Sequence, residues 1–214
     1  MRQIIFQDIK TKLPWHLELL ARLKIYQYRE ESNTFVVLNK HPLRVYADAL
    51  CRKGNSTAVE VFIQKSRVMN ALGAFGEVWL TQNILMRMAA REIAGVLGHE
   101  IGHNLFQRKT WMKRPGTIQE YHVGEYLADA ISALLVGKEN MAAAIRKIID
   151  MREEIHPTKY SKTHPSGHAR LAALENETYF DVARMILAQP DRQMEFIESF
   201  KPLHQKLVAT CIPA

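Results

Sequence analysis

A chain of 214 residues with 47% hydrophobic and 24% charged side chains can bury one full core, and its 10 Gly and 8 Pro are too few for a collagenous or low-complexity protein. The formal net charge of +7, from 29 Lys and Arg against 22 Asp and Glu, favours acidic partners without identifying one. Cys51 and Cys211 are too far apart in sequence for a Cys-x-x-Cys pair and too few for a disulfide framework, so both read as buried thiols.

In chain order, an apolar signal core at the amino terminus would be interrupted by Asp8, Lys10, Lys12, His16 and Glu18. The most apolar stretches, Ile93 to Leu97 and Ile131 to Val136, fall far short of the roughly 18 residues a membrane span requires. A cytoplasmic protein is expected, with signal-less secretion as an effector left open. Leu17, Leu20 and Leu23, with Lys24 and Ile25, suggest an amphipathic helix, and Thr34 to Leu38 and Val59 to Ile63 read as strands. Asn70 to Leu80 carries two glycines and then an apolar run, which reads as a turn feeding another strand. No repeat or linker divides the sequence. The expectation is one α+β domain over 1–214, with a motif-bearing core at about 60–175 and a helical segment at about 176–214.

From about Ile84 the pattern is helical. Met86, Ala90, Ile93, Leu97, Ile101 and Leu105 recur at spacings of three and four, marking one buried face of a helix ending near Gln107. Gly95, Gly98 and Gly102 each cost about 0.8–1.0 kcal/mol relative to Ala inside a helix, so close packing against another element is the expected compensation. The same helix carries His99-Glu100-Ile101-Gly102-His103, an HExxH motif. Residues four apart share a helix face, so both imidazoles can reach one metal ion, and Glu100 can take the proton of an attacking water.

A third ligand must come from elsewhere, because Phe106 and Lys109 stand where an HExxHxxGxxH extension needs Gly and His. Thr117-Ile118-Gln119-Glu120 has the form of a capping box, predicting a helix from near Ile118 to near Gly137. Glu125 and Asp129 lie on one face of it, where Glu125 could complete a site of two histidines and one glutamate and Asp129 could accept from a ligand imidazole's outer N–H. His122, one turn earlier, is the rival ligand.

HExxH followed by a helix bearing Glu125-Tyr126-Leu127-Ala128-Asp129 resembles the gluzincin metallopeptidases. Thr163-His164-Pro165-Ser166 with Arg170 is similar to an element of the HtpX and CAAX prenyl protease family, and Asn70 to Leu85 resembles the stretch whose strand lines that family's substrate cleft. The resemblance spans about Asn70 to Leu171. It implies a zincin-like fold, with a small twisted, mostly antiparallel sheet packed on the HExxH helix and a second ligand-bearing helix. It also implies one Zn2+ per chain held by His99, His103 and Glu125, and hydrolysis of peptide bonds in protein or peptide substrates. Glu100 would be the base, Asp129 would orient a histidine, His164 would donate to the developing oxyanion or gate the metal, and Arg170 would brace its loop or contribute positive charge. Unlike the family's familiar members, this chain shows no membrane span, and only 21 residues separate His103 from Glu125.

Arg108, Lys109, Lys113 and Arg114, with Trp111 among them, read as a solvated loop or as a basic border of the cleft. His16, His41, His156, His168 and His204 have no ligand spacing and read as surface or hydrogen-bonded residues. The competing function is a non-catalytic zinc-containing basic module binding nucleic acid or protein, although no nucleic-acid motif supports it. Cys-rich closed coordination is usual in such sites, and an acid between the histidines has no task there.

Overall fold

A computed structural model describes residues 26–29, 33–110, 118–155 and 164–211. It is an α+β structure in which a small mixed sheet packs on helices. The strands are β1 (Tyr26–Arg29), β2 (Thr34–Val37), β3 (Glu60–Gln64), β4 (Ala71–Ala74) and β5 (Glu77–Thr81), ordered β1-β2-β3-β5-β4. All neighbours are antiparallel except β3 and β5, which run parallel. The β-branched and aromatic residues that mark these strands run consecutively, and β2 and the centre of β3 are buried on both faces of the sheet. Phe35, Val37, Val61, Ile63, Val78 and Leu80 share one face and enter the main core.

The helices are α1 (Pro42–Lys53), α2 (Gln82–Arg87), α3 (Ala90–Thr110), α4 (Ile118–Val136), α5 (Lys138–Ile155), α6 (Gly167–Ala173), α7 (Glu177–Ala188) and α8 (Gln193–Cys211). Helix α1 starts with Pro42, whose fixed φ suits a first turn, and His41 Nδ1 accepts from Leu43 N–H at 3.1 Å. His41 is thus a buried cap. Lys53 at the end of α1 donates to Leu134 O and Leu135 O, satisfying carbonyls in the last turn of α4. Gly137, with φ 99°, then ends α4 at the residue expected from sequence.

One helical expectation needs correction. Met86 does not lie on the HExxH helix: it belongs to α2 and is 58% exposed. The break comes at Met88, whose backbone is extended, and Ala89, whose N–H donates to the Glu92 carboxylate at 2.6 Å. That side chain satisfies a donor that would otherwise be orphaned at the start of α3, so a new helix begins where the 3.6-residue periodicity appeared continuous. The expected helix around Leu17 to Ile25 lies outside the described residues.

The glycines of α3 explain how the site-bearing helices approach one another. A Cβ on Gly95 would lie 2.7 Å from Ala144 Cβ and Asn140 O of α5, and one on Gly98 would lie 2.6 Å from Ser132 Oγ of α4. On Gly102 it would press on the α4 backbone at Ala128. Ser132 Oγ also donates to Gly95 O at 2.8 Å, tying α3 to α4. The helix-propensity cost is therefore offset by two close helix contacts, and these bring Glu125 and Asp129 up to the HExxH turn.

Candidate metal centre

His99 and His103 project from one face of α3, and Glu125 meets them from α4. His99 Nε2 lies 3.0 Å from His103 Nε2 and 3.6 Å from Glu125 Oε2, while His103 Nε2 lies 3.3 Å from Glu125 Oε1. One donor atom from each residue falls within 4.8 Å of the others, and all three residues are buried. Ligands about 2.0–2.1 Å from one tetrahedral ion stand roughly 3.3 Å apart, so these separations are those of one face of such a site.

The protonation logic points the same way. His99 Nδ1–H donates to Asp129 Oδ1 at 2.7 Å, which leaves Nε2 as the lone-pair nitrogen facing His103. A lone pair there is repelled by the His103 nitrogen and the Glu125 carboxylate unless a proton or cation lies among them. Glu125 Oε2 is buried without a hydrogen-bond donor. Among the described residues, Glu125 and Asp129, both held ionised, and the Glu100 carboxyl are buried beside the guanidinium of Arg170, an arrangement that favours a cation among them. The donor set, the charge and the orphaned oxygen fit zinc.

Arg170 reaches the site from α6. Its Nε and one terminal nitrogen donate to Asp129 Oδ2 and Oδ1 at 2.8 and 2.6 Å, and a second terminal nitrogen lies 3.8 Å from Glu125 Oε2. Ser166 Oγ accepts from Ala169 N–H at 3.1 Å, capping the short helix that carries Arg170. His164, just before that cap, has a half-exposed side chain with Nε2 3.6 Å from Glu125 Oε1, although it is not one of the three converging donors. Residues named from three sequence segments thus meet in one place. His122 does not join them, since it packs edge-on against Tyr126. The side chains of Thr117, Arg108, Lys109, Lys113 and Arg114 lie outside the described residues, as do His16, His156, Thr163 and the Cys211 side chain; Cys51 is buried and in no disulfide.

Electrostatics separates the carboxylates. Burial pushes Glu100 above the ordinary glutamate range, although His99 and His103 pull against it. Burial would also raise Glu125, but the His103 hydrogen bond and the charges of His103, His99 and Arg170 bring it well below that range. Asp129 is likewise buried yet held low, chiefly by Arg170. One acid is therefore poised to take a proton and two to stay ionised.

Sequence reasoning missed Asn104. Its side chain accepts from Gly76 N–H at 2.7 Å and donates to Glu77 O and Glu100 O at 2.8 and 3.1 Å, clamping the β4–β5 turn onto the turn of α3 that bears Glu100. A polar residue directly after HExxH, beside the buried-face residue Leu105, was the available signal.

No helix among the described residues is long and apolar enough to cross a membrane. Residues 40–110 match the family model of peptidase family M48, a third of the chain that includes β4, β5 and the whole HExxH motif. Glu125, Asp129, His164 and Arg170 lie beyond that match, and their place in the site rests on the geometry above. No curated protein and no solved structure matches the chain. Over residues 40–110 the chain is thus similar to peptidase family M48, a zinc metallopeptidase family, and His99, His103 and Glu125 form a candidate metal site.

Proposed function

We propose that the protein is a zinc-dependent endopeptidase acting on protein or peptide chains, and that residues 1–214 form one metallopeptidase domain working in the cytoplasm. The observation that carries this reading is the convergence of His99, His103 and Glu125, with the half-exposed His164 beside Glu125. Zinc bound there supplies a Lewis acid that polarises the scissile carbonyl and acidifies the attacking water. Glu100, with its raised proton affinity, takes the water's proton and returns it to the leaving amine. Asp129 holds His99 with Nε2 toward the metal, and Arg170 holds Asp129 ionised and oriented. His164 donates from the open side to the oxygen that gains charge.

The decisive variant is Glu100→Gln. It should retain about one zinc per chain while hydrolysis of a labelled unstructured protein falls by at least 10²–10⁴-fold, the range of a general base. Chelator should abolish wild-type cleavage and added zinc restore it. Loss of zinc from Glu100→Gln, or undiminished cleavage, would defeat the assignment. Zinc binding by a wild type that never cleaves would favour the non-catalytic module instead.

A further inference from the structure

Strand β4 ends the sheet among the described residues and lies directly on the helix bearing Glu100: a Cβ on Gly73 would come within 2.1 Å of Glu100 O. The pairing parity determines what its open edge offers. Thr81 N–H donates to Asn70 O at 3.0 Å, and the two-residue turn Phe75–Gly76 closes the pair Ala74 and Glu77. Alternation along an antiparallel ladder then points the backbone groups of Asn70, Leu72 and Ala74 toward β5, and those of Ala71 and Gly73 toward the open edge. Side chains alternate between the two faces. Gly73 faces α3, whereas Leu72 lies on the opposite face, paired with Trp79 and 56% exposed.

Two features of this edge have no structural explanation in the core. Leu72 leaves most of its apolar surface in water at a strand edge, where charged residues usually discourage association. Phe75 occupies the left-handed region at φ 55°, which disfavours a bulky side chain, and its ring is 74% exposed. Asn or Gly would suit that turn better, so the aromatic ring is kept for something outside the chain. Asn104 fixes the turn to α3, so both side chains stand at a set distance from Glu100.

We infer that Leu72 and Phe75 are specificity residues that select an apolar side chain of an extended substrate paired with the open edge of β4. This rests on the peptidase reading. The substrate residue opposite Leu72 occupies a position not hydrogen-bonded to β4, where facing side chains come closest. It meets Leu72 on the face turned away from α3, with Phe75 further along the same edge. Its neighbours hydrogen-bond to the outward groups of Ala71 and Gly73, and their side chains turn toward α3 and the metal centre. The substrate class is therefore an unfolded or extended segment with an apolar residue at one fixed distance from the cleaved bond.

The test uses the full chain and a peptide library varied at each position. Wild-type cleavage sites should share an apolar residue at a single position. Leu72→Glu should lower kcat/KM for those peptides about 10-fold or more and transfer the preference at that position to Lys or Arg. Phe75→Asn relieves the left-handed strain, so it should fold at least as well as wild type, and a weakened apolar preference then reports the lost ring. The same peptides, labelled, are titrated against zinc-loaded Glu100→Gln with and without Leu72→Glu, reading binding by anisotropy. Matching cleavage profiles in wild type, Leu72→Glu and Phe75→Asn would overturn the inference while leaving the peptidase intact. If wild type hydrolyses nothing but binds apolar peptides with a preference that Leu72→Glu reverses, the edge assignment stands and the peptidase reading fails.

Discussion

His99 and His204 are both buried and each hydrogen-bonds through Nδ1, yet their surroundings differ in kind. His99 is held by the Asp129 carboxylate, itself gripped by Arg170, and presents Nε2 to two other donors. His204 hydrogen-bonds the Tyr179 hydroxyl at 3.0 Å and is enclosed by the rings of Tyr126, Tyr179 and Phe200. Its Nε2 is buried without a hydrogen-bond partner, and it belongs to no group of converging ligands among the described residues. Burial of a histidine therefore says little about function. Convergence of donors and a carboxylate behind the imidazole are what distinguish the metal centre from the aromatic cluster.

Metal analysis should sharpen that contrast most. Glu125→Ala removes one of the three converging donors and should strip zinc from the chain, whereas His204→Phe and His122→Ala should retain about one zinc each. Retention by Glu125→Ala with loss from His122→Ala would replace the present site with an all-histidine one. Next in size is His164→Ala, expected to lower kcat about 10²–10³-fold with zinc still bound, the usual effect of losing one donor to a developing oxyanion. Equal kcat in the variant would reduce His164 to a rim residue.

The support behind His99 should have a smaller effect on the metal. Asp129→Asn is expected to weaken zinc binding about 10–100-fold, as removal of a ligand's outer hydrogen-bond partner commonly does. Arg170→Met leaves Asp129 charged and buried without its guanidinium, which should cost about 3–5 kcal/mol in folding stability. Arg170→Met combined with Asp129→Asn should recover part of that loss, because neither buried charge remains unpaired. Additive losses in denaturant titrations would show that the two side chains do not act as a pair.

The motif was legible because metal binding demands donors at fixed helical spacing, so His99, Glu100 and His103 could be recognised without a fold. Glu125 and Asp129 needed both helical periodicity and a resemblance, and the α3–α4 glycine contacts show why they arrive at the right depth. Other features were illegible for physical reasons. Met86 fitted the buried stripe by spacing alone, but the Glu92 side chain bonding Ala89 N–H starts a new helix after it. Nothing in a linear sequence shows that Asn104 bridges Gly76, Glu77 and Glu100, since those contacts exist only once the hairpin has docked on α3.

The smallest effect expected is a pH dependence belonging to the aromatic cluster rather than to the metal centre. Burial, with His122 nearby, holds the His204 pKa down at about 4, below the 6.5 of an exposed histidine. Tyr126 and Tyr179 offer it no negative charge, and burial pushes the Tyr126 phenol up to about 12. Below pH 6.5 the unfolded chain takes up a proton at this position that the folded chain refuses, so stability falls as pH drops from about 6.5 to about 4. The depressed carboxylates act in a different window: Asp129 and Glu125 support the fold above the ordinary carboxylate range and lose that contribution as pH falls through their lower folded values. In the metal-free protein His204 should therefore lower the melting temperature progressively between pH 6.5 and 4, with each kcal/mol worth roughly 2–4 °C in a chain of this size, while Glu100 and His103, whose proton affinities are raised, act in the opposite sense. His204→Phe should raise stability at pH 4 relative to pH 6.5 compared with wild type, while leaving the more acidic limb in place. A variant whose profile parallels wild type over that interval would show that the aromatic enclosure does not exclude the charged imidazole, and would remove the contrast with His99 on its electrostatic side.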